Sequence, residues 1–328
     1  MKHRNDLRLR ILRSVPLLLL AAVFLVFGAI SRRFLEPDNL LNILVQASSL
    51  AIVATGMTFV LLTAGVDLSV GSIMFLSAAA AAKMVLAGWS PSVAVLAVIA
   101  IGLASGLVNA MFVAKIRLMP FVVTLATLYF WRGLGLYISQ TRAMNLPEGL
   151  LRLGAARVLH VPVPVWFLVA VLGAAHLTLR HTAFGRQIYA VGGDPEAAQK
   201  AGVRVRRLLV TVYAISGLCA AVGGMVAVVQ LGAVSPTFGN QREFAAIAAA
   251  VLGGASLFGG RGNVLPGTLV GAVLIQAIEN GLVIVGTDPY LFPIITAAII
   301  FAAVFLDSAR HRQLRKLSRR KIRGVTAG

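Results

Sequence analysis

Long apolar runs alternate with short polar segments along nearly the whole chain. The runs predict ten membrane-crossing segments, at 15–30, 43–62, 70–87, 93–114, 121–138, 163–179, 208–231, 244–257, 264–285 and 291–306. A helix needs about 20 predominantly apolar residues to cross a bilayer. The run at 244–257 is shorter than this, so the sequence leaves open whether it crosses fully or is re-entrant. The pattern predicts an all-α fold, a polytopic membrane protein of about ten transmembrane helices with broken or re-entrant segments.

The composition supports a membrane protein. Of the 328 residues, 59% are hydrophobic and 12% are charged, and the mean hydropathy is +0.89. A soluble domain has about 25% charged residues, so this chain has too few to cover a water-exposed surface. The chain has one cysteine, Cys219, which excludes an intrachain disulfide framework. The histidines form no spaced pair on one helix face, and we expect no metal site.

The net charge of +19 is distributed unevenly. If ten crossings are counted from a cytoplasmic start, most Lys and Arg residues fall on the cytoplasmic side, as the positive-inside rule requires. The expected organisation is a basic cytoplasmic N-terminus at 1–14, one transmembrane domain at 15–306 and a basic cytoplasmic tail at 307–328. The first apolar run also resembles a signal peptide, but we prefer an uncleaved span. Because the basic clusters have this topological cause, we expect a lipid bilayer and no nucleic acid as partner.

The longest polar interruption, at 180–207, predicts a short helix outside the bilayer. Asp194 is a good N-cap, Pro195 suits the first helical position and Glu196 places a negative charge at the positive end of the helix dipole. Ala197 and Ala198 favour helix, and Gly202 can end the helix in a left-handed conformation. The simplest interpretation is a capped surface helix that joins two membrane segments. These residues are Asp194, Pro195, Glu196, Ala197, Ala198 and Gly202.

Two stretches break the helical pattern inside the apolar sequence, at 62–72 and 252–263. Irregular backbone at membrane depth persists only where it is buried in protein or lines a watery cavity, and paired breaks often mark a substrate path. The alternative is that both are loops at a membrane face, with the aspartate of the first break as the N-cap of the next helix. The candidate residues of the translocation path are Thr63, Asp67, Ser69, Gly253, Gly254 and Ser256.

The sequence contains no recognisable catalytic machinery. It has no G-x-x-x-x-G-K-[ST] phosphate-binding motif, so ATP-driven transport would need a second chain to bind ATP. The ionisable residues that could lie within the membrane are Asp67, Arg132, His176 and Glu279. All four lie near the ends of predicted spans, where structural roles are favoured, although Glu279 is the hardest to explain in this way. We expect no enzyme activity and no cofactor.

Several motifs resemble one transporter family. Glu196-Ala197-Ala198, followed after three residues by Gly202, resembles the E-A-A-x-x-x-G loop of importer permeases of the ATP-binding-cassette class. Four further stretches resemble the ribose-type sugar permeases of that class, and the similarity runs in order from about 39 to 306. Ala64 is a departure, because the family often has glycine there. The four stretches are GMT at 56–58 with LTAGVDLSVGS at 62–72, PFVVTLAT at 120–127, RG at 132–133, and IAAAVLGGAS at 247–256 with glycines at 259, 260 and 262.

The resemblance implies a transmembrane permease subunit of an ATP-driven importer for a small sugar, in a bacterial inner membrane. The implied partners are a cytoplasmic ATPase subunit that receives the helix at 194–202, an extracytoplasmic sugar-binding protein and a second permease copy. The resemblance identifies neither the sugar nor whether the pair is homodimeric. One alternative is the same importer class with a non-sugar polar substrate. Another is a secondary transporter driven by an ion gradient, which the scarcity of central carboxylates disfavours.

Overall fold

The computed structural model describes residues 2–292 together with residues 294, 295, 297, 298, 301 and 305. Its described part is almost entirely helical. The helices are α1 (Lys2–Ile30), α2 (Pro37–Leu62), α3 (Val70–Leu86), α4 (Pro91–Ala110), α5 (Pro120–Ser139), α6 (Glu148–Ala155), α7 (Val163–His181), α8 (Ala183–Gly193), α9 (Pro195–Lys200), α10 (Val205–Leu231), α11 (Arg242–Leu252) and α12 (Leu269–Val285). Single π-helical segments extend α4 through Met111–Lys115 and precede α12 at Val264–Thr268.

The loops contain four two-residue strands, which form two antiparallel pairs. They are β1 (Met144–Asn145), β2 (Arg157–Val158), β3 (Val161–Pro162) and β4 (Ala233–Val234). β1 pairs antiparallel with β4, and β2 pairs antiparallel with β3. The first pairing fastens the connection after α5 to the C-terminal end of α10.

Six helices in the described residues are long and apolar enough to cross a membrane. They are α2, α4 with its extension, α5, α7, α10 and α12 with the segment that precedes it. The apolar part of α1, Pro16–Ile30, and α3 are shorter. The structure therefore confirms an all-α chain with several membrane-spanning helices, while the count of about ten stays a prediction. Half of the predicted tenth segment, 291–306, and the tail at 307–328 lie outside the described residues.

Helix α10 lies at the centre of the bundle because small residues let other helices approach its backbone. A Cβ atom on Gly102 or Gly106 of α4 would collide with α10 backbone at Gly217 or Tyr213. Gly56 of α2 lies against α10 in the same way, and Gly224 of α10 lies against α3. Without side chains between them, helix backbones pack closely, which is a common solution in membrane proteins.

Helix α11 is too short to cross a membrane. Its 11 residues give a length of about 17 Å at 1.5 Å per residue, against about 30 Å of hydrocarbon. After β4 the chain turns back into the bundle, where Gly239 packs against Gly71 in the first turn of α3. The guanidinium of Arg132 in α5 donates to the Phe238 carbonyl at 2.6 Å and lies 4.9 Å from the centre of the Phe75 ring. These contacts place the start of α11 inside the bundle, and its C-terminal end leads into the second break.

The bundle has two ends. We call the end that carries α9, the C-terminus of α2 and the N-terminus of α10 the α9 end. The opposite end carries the N-terminus of α2, the C-terminus of α10 and the β1–β4 pair.

Candidate functional site

The predicted surface helix is present as α9, and its caps are those expected. The Asp194 carboxylate accepts hydrogen bonds from the backbone N–H groups of Glu196 and Ala197, both at 3.0 Å. Pro195 occupies the first turn, and Gly202 has φ +87°. Along α9 most residues are exposed, with Ala198 buried against the bundle. The sequence-based prediction of a capped, exposed helix is therefore confirmed at the structural level.

A second helix, α8, was not predicted, and it connects α9 to both breaks. Thr182 caps it, its side chain accepting from Gly185 N–H at 3.1 Å. Gly192, near its end, lies against the Leu62 carbonyl at the end of α2, and a Cβ atom there would overlap that oxygen. The same carbonyl accepts from Gly260 N–H of the second break at 2.9 Å. Three segments thus meet through backbone atoms, and we call this contact the Leu62 junction.

Tyr189 of α8 adds a side-chain link to the second break. Its hydroxyl donates to the Gly262 carbonyl at 2.8 Å. Burial raises the pKa of the Tyr189 hydroxyl above its ordinary value, because burial disfavours the phenolate. The hydroxyl therefore remains protonated and able to donate this bond.

The first break is held by a buried polar network around Asp67. Ser69 donates to one carboxylate oxygen from its backbone N–H at 3.0 Å and from its hydroxyl at 2.6 Å. Ser216 of α10 donates to the other oxygen at 2.7 Å. Asn109 of α4 donates to the Ser69 hydroxyl at 2.7 Å and accepts from Thr127 of α5 at 2.7 Å. The network joins the break to three helices.

This network changes the interpretation of Asp67. The simpler expectation was that Asp67 caps α3, but the N-cap position is Ser69 and no side chain caps that helix. Asp67 closes a two-residue turn instead and is fully buried. The expectation failed because an aspartate before a helix has the same local signature whether it caps the helix or accepts bonds from distant segments.

The structure buries most of the candidate path residues. Asp67, Ser69, Gly253 and Ser256 are buried, and Thr63 and Gly254 are partly buried. Gly253 packs against the backbone of Gly267, just before α12. The two breaks meet at the Leu62 junction, but none of these six residues lines the cavity of about 860 Å³ at the opposite end. Their place in a translocation path stays a prediction.

A cavity of about 860 Å³ opens at the end opposite α9. It lies between the N-terminal half of α2, the end of α10, the segment that leads into α11 and the C-terminal half of α12. Two charged residues, Arg242 and Glu279, are among those that line it. We call it the amide cavity, because it is lined by Asn42, Gln46, Gln230, Asn240, Gln276 and Asn280.

Amide side chains also join α2 to α12 beside this cavity. Gln276 donates to Gln46 at 2.8 Å, and Gln46 donates to Asn42 at 3.1 Å. Asn39 and Asn280 exchange hydrogen bonds at 3.0 and 3.1 Å. Buried amides normally find such partners, since an unpaired amide costs about 1–3 kcal/mol.

These amides are neither ionisable nor part of a helix break, so the predictions from sequence did not include them. A signal was available: uncharged amides recur within two otherwise apolar spans. In the described residues, no group of three or more His, Cys, Asp or Glu side chains could hold a metal ion.

The chain matches a known family over most of its length. Residues 39–304 match the family described as branched-chain amino acid transport system / permease component. The chain belongs to this permease family. The match covers both breaks, the Leu62 junction and the amide cavity, so these features lie within the family's common region.

Several curated members of this permease family are similar over nearly the whole chain. The ribose import permease RbsC of Escherichia coli strain K12 is 38% identical over 307 residues, covering 92% of this chain and 95% of that protein. RbsC of Bacillus subtilis strain 168 is 37% identical, with coverage of 89% and 91%. The fructose import permease FrcC of Rhizobium meliloti is 36% identical, with coverage of 90% and 84%. No solved structure matches the chain.

Proposed function

We propose that this protein is the permease subunit of an ATP-driven importer for a small sugar. The observation that carries the proposal is similarity over about nine-tenths of the chain to proteins named as ribose and fructose import permeases. A D-allose permease of Escherichia coli is 38% identical over 88% of the chain, which extends the set of related monosaccharide transporters. The substrate class is therefore a monosaccharide.

In this proposal α9 is the coupling helix that docks into a separate cytoplasmic ATPase. It is exposed, its N-cap is satisfied and its C-terminal glycine takes the required positive φ. A helix formed before docking spends little free energy on ordering. Helix α9 directly follows α8 in the chain. Any movement of α9 would therefore be passed through α8 to the Leu62 junction, and so to both breaks.

The complete importer would contain two permease copies, an ATPase subunit and an extracytoplasmic sugar-binding protein. Both ends of this chain would be cytoplasmic, in a bacterial inner membrane, with about ten crossings. Binding and hydrolysis of ATP on the partner would shift the population between outward-open and inward-open arrangements. This chain would supply the path and the coupling contacts, without hydrolysing ATP.

Co-expression with an ATPase and a binding protein from the same gene cluster tests the proposal. The complex in proteoliposomes should take up D-ribose, D-allose or D-fructose with ATP, and the loaded binding protein should stimulate ATP hydrolysis. Gly202→Val should weaken coupling, because a left-handed conformation costs a non-glycine residue about 1–2 kcal/mol. Space is not the obstacle, since a Cβ atom at Gly202 meets nothing within 4 Å.

Gly193→Val is the matched control. A Cβ atom at Gly193 also meets nothing within 4 Å, and this glycine does not have a positive φ. It should leave both uptake and ATP hydrolysis close to wild type. Equal activities for the two variants would contradict a coupling role for α9, whereas failure of the unmodified complex to take up any of the three sugars would contradict the proposed substrate class.

A further inference from the structure

The amide cavity is formed by two facing helical stripes. On α2 the lining residues include Asn42, Gln46 and Ser49, and on α12 they include Gln276, Glu279 and Val283. Within each helix the lining positions follow a spacing of three or four residues, which places them on one face. A polar stripe on an apolar span is costly toward lipid, so such side chains normally face a bundle interior or water.

The hydrogen bonds along one wall leave groups that a ligand could use. The chain of donation runs from Gln276 to Gln46 and on to Asn42. An amide has one acceptor oxygen and two donor hydrogens. In the described residues, the Asn42 nitrogen and the Gln276 oxygen are left without a bond in this chain, so one end of the wall offers a donor and the other an acceptor. Glu279, partly exposed, adds a carboxylate acceptor.

These groups fit a small polyhydroxylated ligand. Each sugar hydroxyl is one donor and an acceptor, so alternating amide and carboxylate groups can bind it without requiring a charge on the ligand. Small-molecule sites measure about 300–1,000 Å³, and the cavity volume of about 860 Å³ falls within this range. There is room for a monosaccharide together with water.

The inner boundary of the cavity is the start of α11. Gly239, Asn240 and Arg242 line the cavity, and Gly239 packs against Gly71 of α3. No side chain caps the first turn of α11. The cavity therefore ends inside the bundle, at the uncapped first turn of α11 and at the contact between Gly239 and Gly71.

We infer that the amide cavity is the outward-facing sugar site of this permease, and that Asn42, Gln276 and Glu279 contact the sugar hydroxyls there. The inference rests on the proposed function for the identity of the ligand. It moves the candidate path away from Asp67 and Ser69, which the structure places in a buried network, to residues of α2 and α12.

Site-directed labelling tests the inference, because Cys219 is the single cysteine. In a Cys219→Ala background, Glu279→Cys is labelled in right-side-out vesicles with a membrane-impermeant, negatively charged methanethiosulfonate. Ile278→Cys is the matched control, since Ile278 is the neighbouring residue of α12, packs against the hydrophobic core and does not line the cavity. Labelling at Glu279→Cys should be about tenfold faster or more, because the thiolate that reacts forms only in contact with water.

The second measurement is uptake of radiolabelled D-ribose and D-allose by the assembled importer. Glu279→Cys should lower uptake before labelling, and labelling should reduce the remaining uptake to background, while treatment of Ile278→Cys should leave uptake unchanged. Gln276→Leu, which keeps the approximate size but removes the hydrogen bonds, should change the ratio of the two uptake rates. Equal labelling at the two positions, or uptake that survives labelling at Glu279→Cys, would overturn the cavity assignment. Absence of uptake by the wild-type complex would instead overturn the proposed function.

Discussion

At the scale of single residues, the buried carboxylate of Asp67 depends on Ser216. The Ser216 hydroxyl donates to one carboxylate oxygen at 2.7 Å inside the bundle. We expect Ser216→Ala to lower the free energy of unfolding by about 1.5–3 kcal/mol, the range for hydrogen bonds to charged groups. The measurement is thermal unfolding of the purified protein in detergent.

Thr211→Ala is the control for that experiment. Thr211 lies on the same helix, is exposed, and its hydroxyl bonds the Arg207 carbonyl one turn earlier. A surface substitution of this kind usually changes stability by less than about 0.5 kcal/mol. Similar unfolding temperatures for both variants would show that the Asp67 network contributes little to stability.

The residues of the candidate site differ in how far the sequence predicts them. Asp194 and Gly202 act on backbone within a few residues, so their roles as caps follow from the local sequence. The partners of Asp67 do not, because Asn109 and Ser216 lie 42 and 149 residues away along the chain. The amide pairs of α2 and α12 are separated by more than 200 residues, and only the folded bundle brings them together.

At the scale of elements, the Leu62 junction allows a sharp test with two adjacent glycines. In Gly192→Ala the new Cβ atom would overlap the Leu62 carbonyl. Overpacking of this kind typically costs about 1–3 kcal/mol, and here it would separate α8 from the end of α2. We expect the sugar molecules taken up per ATP hydrolysed to fall sharply, with normal insertion into the membrane.

Gly193→Ala should behave like wild type in the same assay, because a Cβ atom there meets nothing within 4 Å. Both substitutions favour helix to the same degree, so propensity cancels between them. Loss of coupling in both variants, or in neither, would contradict a specific role for the junction.

The long helices are predictable from sequence, whereas the short elements are not. The apolar runs are long and continuous, so α2, α4, α5, α7, α10 and α12 follow from hydropathy with ends displaced by a few residues. The run at 244–257 left crossing and re-entry open, and that question stays open, although α11 supplies only 11 helical residues there. Helix α8 was missed because it has only 11 residues and mixes polar with apolar side chains. The paired strands have two residues each, too few to show a pattern.

At the scale of the whole molecule, the proposed topology places α6 and α9 on opposite sides of the membrane. Gly149 in α6 has open space around it, and Gln199 in α9 is exposed. In the Cys219→Ala background, an impermeant maleimide should label Gly149→Cys in right-side-out vesicles. Gln199→Cys should react only after the membrane is permeabilised. Labelling of Gln199→Cys in sealed vesicles would place α9 on the wrong side for a cytoplasmic ATPase.

The short length of α11 has an electrical consequence. If the amide cavity holds water as we propose, solution reaches the start of α11 inside the bundle, and the membrane potential falls mainly across the layer beyond it. Moving a unit charge through a potential of 100 mV involves about 2.3 kcal/mol, and here that work would be concentrated within a distance of about 17 Å, the length of a helix of 11 residues. A neutral sugar does no such work. The thin, closely packed layer between α11 and the α9 end would therefore be the seal that keeps ions from following the sugar.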